Sequence, residues 1–182
     1  MFKRKPNNGL SRKDVIALSD GNHRANTMRC PLNVLLTART CRVRALALER
    51  LCAEFIRIRN NYDGFARRRG FAPAHVWTRE CYPDGTGEHM HMLCHVPAKL
   101  FAQFRRLAFA WMPCPKEVSV RKAGIREYQA RDGKRHSSLF YIAKQMTPQA
   151  VFRTDLRRMK GGTIWGKRWN ASRNLLPPKP KD

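Results

Sequence analysis

The sequence predicts an α+β fold, a mostly antiparallel sheet with helices packed on one face. Two observations carry this expectation. The periodic segments run in the order strand, helix, strand, strand, helix, strand, helix. The two central strands are joined by Tyr82-Pro83-Asp84-Gly85-Thr86-Gly87, and Asp-Gly between two strands is a strong hairpin signal. At 182 residues, 42% of them hydrophobic, the chain is most simply one such domain with basic extensions.

Residues 1–29 carry Lys, Arg, Asn and Gly with little periodicity. They read as a mobile or partly ordered basic arm with a short helical turn near residues 12–16. The first strand is residues 31–39, opened by Pro31. An amphipathic helix is expected over residues 43–60, with Leu48, Leu51, Phe55 and Ile58 close to one stripe. Asn60-Asn61-Tyr62-Asp63-Gly64 is expected to end it, and Arg67-Arg68-Arg69-Gly70 to form a basic loop. Residues 74–81 read as the second strand. The stretch around His89 and His91 reads as the third, ended by Pro97. Residues 99–111 form a helical pattern stopped by Pro113 and Pro115, and residues 118–122 a short strand. Residues 124–134 read as a charged loop. A helix over residues 137–146, capped by Ser137 or Ser138, precedes Pro148. From residue 152 the chain is basic, punctuated by Gly and Trp, and residues 177–180 are a Pro-rich tail.

The formal net charge is +24, from 37 Lys and Arg against 13 Asp and Glu. Such an excess repels itself unless a polyanion shares the surface, and nucleic acid is the obvious partner. No apolar run reaches bilayer-spanning length and no long basic amphipathic helix stands out, so no membrane partner is expected. Met1-Phe2-Lys3-Arg4-Lys5-Pro6 leads into polar sequence, not a signal-peptide core, and the expected location is cytoplasmic. The six cysteines contain no CxxC pair and read as reduced thiols. Cys81, Cys94 and His95 match no standard zinc-finger spacing.

His89 and His91 are separated by one apolar residue. On a strand their side chains share a face, whereas on a helix they would sit roughly 200° apart. A two-residue turn centred on Asp84 and Gly85 places Glu80 opposite His89 and Thr78 opposite His91. A carboxylate and two imidazoles then occupy one patch of the sheet, the beginnings of a divalent-metal site. His95 shares this parity but lies about 13 Å along the strand from His91, too far for the same ion. His95, His75, His23 and His136 are read as ordinary packed or hydrogen-bonded histidines. On the last helix Tyr141, Lys144 and Gln145 stand at i, i+3 and i+4 and are expected to share a face. A cation one turn from a tyrosine favours the phenolate and can hold a phosphate oxygen, and tyrosine can act as a covalent nucleophile. Candidates for contact with single-stranded DNA, where phosphates meet cations and bases stack on rings, are Arg67, Arg68, Arg69, Arg121, Lys122, Arg168, Trp169 and Arg173. Arg157, Arg158, Lys160, Trp165 and Lys167 extend the set.

Val34-Leu35-Leu36-Thr37, then His89-Met90-His91, then Tyr141-Ile142-Ala143-Lys144, in this order, resemble the motifs of the HUH endonuclease superfamily, in particular rolling-circle replication initiators of phages and plasmids. The resemblance covers roughly residues 31–145, with a weaker likeness over residues 166–175. It implies a ferredoxin-like or RRM-like fold, with residues 1–29 as a basic arm, 30–150 as the endonuclease domain and 151–182 as a basic C-terminal extension. It implies a divalent cofactor, Mg²⁺ or Mn²⁺, on His89 and His91. It also implies Tyr141 as nucleophile, Lys144 as the residue that orients the DNA or stabilises charge, and a 5′-phosphotyrosine intermediate. For the third ligand, Glu80 resembles the acidic residue of many initiators, and Gln145 the glutamine of the related IS200-like single-strand transposases. One tyrosine on this helix implies a single-tyrosine enzyme. Its partners would be single-stranded DNA or an origin hairpin, with a helicase and polymerase from a bacterial host. Competing readings are the transposase, a non-catalytic basic nucleic-acid-binding protein, and a metal-independent RNA endonuclease using histidine and tyrosine.

Overall fold

A computed structural model describes residues 6–39, 48–111, 115–123, 128–129, 135–136, 138–150 and 160–176. Its elements are β1 (Pro6–Asn7), α1 (Arg12–Thr27), β2 (Val34–Arg39), α2 (Leu48–Arg68), β3 (His75–Glu80), β4 (His89–Cys94), α3 (Phe101–Phe109), β5 (Val118–Lys122), β6 (Tyr128–Gln129), β7 (Arg135–His136), α4 (Ser138–Ile142), β8 (Ile164–Trp165) and β9 (Trp169–Ala171). The central sheet has five strands in the order β5-β2-β4-β3-β9, every neighbouring pair antiparallel. This is the predicted α+β class, consistent with a ferredoxin-like fold.

The alternation of the strands assigns the two faces. Leu36, Trp77, Met92 and Val120 turn to one face and bury against Phe55, Ile58, Tyr62 and Phe65 of α2 and Phe104 of α3. Val76 and Leu93 turn to the other, where they meet Leu18 and Ala25 of α1, Ile142 of α4 and Leu175. Helices therefore shelter part of the second face too, over β3 and β4.

Three elements differ from expectation, each for a physical reason. Where the sequence predicts a basic arm, α1 is a 16-residue helix docked on the sheet. Its buried contacts are Leu18, Gly21 and Ala25, so small residues make the stripe and hydrophobic periodicity is weak. Its start is a capping box: the Ser11 hydroxyl accepts from the Asp14 amide at 3.3 Å, and the Asp14 carboxylate accepts from the Ser11 amide at 2.7 Å. Helix α2 runs through Asn60, Asn61 and Gly64 to Arg68. Burial of Tyr62, Phe65 and Ala66 overrides the weak helix propensity of that stretch. Helix α4 ends at Ile142, not Met146, because the Thr78 hydroxyl donates to the Ile142 carbonyl at 2.8 Å and gives that carbonyl a partner other than the next turn. The C-terminal segment is equally part of the fold, with β9 forming one edge of the sheet. The first residues of the predicted second helix, Ser137, most of the charged loop, Arg157, Arg158, Cys41, Cys114 and the Pro-rich tail lie outside the described residues.

At the end of the sheet near the C-terminus of α2, His75 is 1% exposed. Burial, and then the Arg59 charge, push its pKa down to about 3, although Asp63 Oδ1 stands 3.4 Å from Nδ1. Because this is below the unfolded value, the unfolded chain binds the extra proton between pH 6.5 and about 3. The stability this neutral imidazole contributes is complete above that window and is lost as pH falls through it. The expected loss from this one group between pH 7 and pH 5 is about 2 kcal/mol. Urea denaturation across that range should show a correspondingly flatter acid limb for His75→Leu than for the parent chain.

Candidate metal centre

The hairpin that builds the site reaches its expected register by an unexpected loop. Glu80 pairs with His89 and Thr78 with His91. The turn is centred on Pro83 and Asp84, with the Gly85 amide donating to the Tyr82 carbonyl at 2.8 Å and Gly85 in the left-handed region at φ 81°. Tyr82 then donates to Thr86 at 2.9 Å, a three-residue loop that shifts the pairing by one. Gly87, at φ 62°, adds one residue on the β4 side and restores the ladder. A Cβ on Gly87 would strike the Tyr82 ring, so the bulge needs glycine there for two reasons.

Glu80 and His91 are each 1% exposed, and the His89 side chain retains 15%. One ligand atom from each of the three lies within 4.8 Å of the other two. Glu80 Oε2 is 3.3 Å from the Nε2 atoms of both histidines. Each imidazole is oriented from behind. His89 Nδ1 lies 2.8 Å from the Gly87 carbonyl, and His91 Nδ1 lies 2.8 Å from Thr37 Oγ1. A carbonyl can only accept, so His89 carries a proton on Nδ1, and Nε2 is the atom it turns toward Glu80. Glu80 Oε1 is shut off from solvent and has no hydrogen-bond partner among the described residues.

Burial opposes ionisation of Glu80, but contacts from His89 and His91 and the charge of Lys144 outweigh it and hold the carboxyl well below its usual range. Burial pushes His91 down to about 4, against the pull of Glu80. At neutral pH the carboxylate is charged and His91 is neutral, the protonation state that metal ligation requires. The donor set, the orientation of both rings and the orphaned Oε1 all fit a cation, so Glu80, His89 and His91 form a group that could bind a metal ion.

Lys144 enters this group. Its Nζ makes an ion pair with Glu80 Oε2, lies 3.2 Å from His91 Nε2 and sits 3.9 Å from the centre of the Tyr141 ring. The Tyr141 and His91 rings are 5.0 Å apart at 67°. Tyr141 is half-buried and lines a cavity of about 420 Å³ on the same sheet face. Tyr141, Lys144, His89, His91 and Glu80 are thus together.

Gln145 is not with them. Since α4 ends early, its side chain turns away, donating to the Cys81 carbonyl at 2.9 Å and accepting from Arg168 at 3.0 Å. Both ends of the amide are engaged by protein groups. Arg168 is likewise no surface contact. It is 1% exposed, and its guanidinium donates to Gln145 Oε1, the Asn7 side chain and the carbonyls of Asn7 and Gly162. This buried fork ties β1, the segment after α4 and the C-terminal segment together. Removing it takes a charged donor from four acceptors at once, so Arg168→Ala should lower stability by about 3 kcal/mol in urea denaturation.

Trp169 packs on α1, its indole donating to Asp14 at 2.5 Å. Arg121 and Lys122 line the cavity beside Tyr141. Arg67, Arg68 and Arg69 are exposed at the end of α2, where Tyr62 bonds the carbonyls of Ala74 and His95. That is the other end of β4 from His89, and on the opposite face. Arg173 and Lys160 are exposed elsewhere, and Lys167 lines a second cavity with Trp77 and Phe55. His95 Nδ1 lies 2.9 Å from the Pro31 carbonyl, and His23 is exposed on α1. The side chains of His136 and Trp165 lie outside the described set. Two roles escaped the sequence reading: Thr37 as the partner of His91, and Lys144 as the counter-charge of Glu80. The first was accessible, because a strand ending in Thr beside the histidine strand places a hydroxyl at that rank.

No family model, curated protein or solved structure matches the chain. Among the described residues, no helix is long and apolar enough to cross a membrane.

Proposed function

We propose that the chain is a metal-dependent single-stranded DNA endonuclease and strand transferase of the HUH type, which nicks a replication origin to start rolling-circle replication. The observation that carries this reading is the Tyr141 ring packed against both His91 and the Lys144 ammonium, at the edge of a buried two-histidine, one-carboxylate group. The net charge of +24 supports a polyanionic substrate.

Glu80, His89 and His91 would hold the divalent ion, which when bound supplies Lewis-acid polarisation of the scissile phosphate. With two imidazoles and one carboxylate, the donor set favours Mn²⁺ over the harder Mg²⁺. Thr37 and the Gly87 carbonyl fix the imidazole orientations. The Tyr141 hydroxyl attacks phosphorus as it loses its proton, the bond to O3′ breaks, and the departing oxygen takes up a proton to leave a free 3′-hydroxyl. Lys144 lies where its charge lowers the barrier to phenolate formation and can meet a phosphate oxygen. The phosphotyrosine keeps one phosphodiester bond in exchange for another, so the reverse attack rejoins strands. A helicase and polymerase would come from the host.

The test is incubation with end-labelled single-stranded DNA and Mn²⁺ or Mg²⁺, followed by a denaturing gel. A labelled band migrating with the protein, absent when EDTA is added, is the expected result. DNA binding with no adduct under any metal would replace the reading with a non-catalytic binding protein. RNA cleavage persisting in EDTA would replace it with a metal-independent ribonuclease.

A further inference from the structure

The cavity beside Tyr141 is distinct from the Glu80–His89–His91 group but lies on the same sheet face. Register places them in one row: Arg39 pairs with His89, and Thr37 pairs with His91 on one side and Ser119 on the other. Crossing the sheet from β3 to β5, the row therefore passes from carboxylate to imidazoles to hydroxyls and cations. Tyr141 belongs to both regions, its ring against His91 and its side chain in the cavity wall. Over β3 and β4 this face is covered by α1 and α4, and among the described residues the cavity lies on the β2 and β5 side of Tyr141.

The lining is built for an anion with a polar, non-ionic body. Three cations, Arg39, Lys116 and Arg121, stand against a single carboxylate, Glu117, while the ammonium of the fourth basic lining residue, Lys122, turns to the Phe101 ring of α3 at 5.6 Å. Between them Thr37, Ser119 and Ser138 offer hydroxyls, and Leu35 an apolar floor. The cleft these residues line holds about 420 Å³, toward the small end of the ~300–1,000 Å³ of small-ligand sites. That is room for one nucleotide, not a stretch of strand.

We infer that this cavity is a subsite for a single deoxynucleotide flanking the scissile phosphate, its phosphate on Arg121 and Lys116 and its sugar and base among the hydroxyls. The assignment to a deoxynucleotide rests on the nickase reading; the assignment to a nucleoside phosphate rests on the lining itself. Thr37 joins cavity to cluster, since its hydroxyl both lines the cavity and holds His91 Nδ1.

Titration calorimetry of the full chain in EDTA, using dTMP, thymidine and inorganic phosphate separately, tests this. Saturable dTMP binding, about tenfold or more tighter than either fragment, is expected, because charge-assisted and neutral contacts then add. Arg121→Gln with Lys116→Gln, both at exposed positions, should weaken dTMP about tenfold or more. The pair Arg105→Gln with Arg106→Gln, exposed on α3 over the opposite face of the sheet, should leave it unchanged. Phosphate binding as well as dTMP, an Arg121/Lys116 variant with parental affinity, or an equal loss in the Arg105/Arg106 variant would each overturn the subsite. The adduct assay run in parallel separates the two readings. Adduct without dTMP binding removes the subsite and leaves the nickase. Site-dependent dTMP binding without adduct removes the nickase and leaves a nucleotide-binding cavity.

Discussion

Tyr141→Phe is expected to abolish the covalent protein–DNA adduct, lowering its rate of formation by on the order of 10³-fold or more, because the variant lacks the nucleophile itself. Binding of the same DNA should persist. The substitution keeps the ring, and with it the edge contact to His91 and the Lys144 ammonium 3.9 Å from the ring centre. Stability should change by less than ~1 kcal/mol, the range of a single hydrogen bond. Two other tyrosines sharpen the assignment. Tyr62 is fully buried, its hydroxyl donating to the His95 carbonyl at 2.8 Å and accepting from the Ala74 amide at 3.2 Å, and burial pushes its pKa well up. It has neither access nor a phenolate. Tyr82 is 49% exposed at the hairpin tip, two residues from Glu80 in sequence, so Tyr82→Phe is the informative control and should leave the adduct intact. Peptide mapping of the adduct by mass spectrometry decides between them. Label on Tyr82, or an adduct surviving Tyr141→Phe, would overturn the assignment of the nucleophile.

Local pattern made the hairpin legible and non-local contact hid the rest. The alternation of His89, Met90, His91 and Met92 dictates which side chains share a face, and a carboxylate five residues before the turn glycine then falls opposite the histidines. The register held although the loop differs, because the extra residue consumed by the three-residue turn is returned by the bulge at Gly87. A one-residue slip would have turned the imidazoles into the face occupied by Met90 and Met92, away from Glu80. Helix α1 shows the opposite case. Its buried face uses Gly21 and Ala25, residues that carry almost no hydrophobic signal, and only the Ser11–Asp14 capping pair announced it.

The polar interior was the least legible part. Nothing local distinguishes Arg168 from the exposed arginines around it. Its burial depends on Asn7 and Gln145 converging from two other parts of the chain on the loop that also presents the Gly162 carbonyl. Gln145 followed the same logic, since helical spacing put it beside Tyr141 only if the helix continued, and Thr78 ended the helix from another strand. In a chain this basic, the arginine that matters for folding is hidden among many that solvate, and only three-dimensional proximity separates them.

Lys144→Met is expected to act in opposite directions on the metal-free and metal-loaded protein. Without metal, the Lys144 ammonium is the cation in contact with Glu80 Oε2, and both groups are largely withdrawn from water, the carboxylate side chain at 1% and the lysine side chain at 12% exposure. Removing the ammonium leaves a buried carboxylate with two imidazoles for company, and the expected destabilisation is about 3 kcal/mol. With a saturating divalent ion on Glu80, His89 and His91, the ion supplies the missing positive charge and the penalty should largely vanish. Linkage then requires the converse. If the substitution weakens the metal-free fold and spares the loaded one, metal binding to the folded variant must tighten by the same free energy, on the order of 10²-fold. Glu80→Gln should do the reverse, lowering metal affinity on the order of 10²-fold while leaving the ammonium without its counter-charge. Combining it with Lys144→Met should restore part of the stability that either loses alone, the signature of a coupled pair. Urea denaturation with and without Mn²⁺, together with Mn²⁺ titration calorimetry of the four chains, measures every arm of this cycle. Tighter Mn²⁺ binding in Lys144→Met is the decisive sign, because loss of a residue that merely packs beside the site would loosen the ligands and weaken the ion.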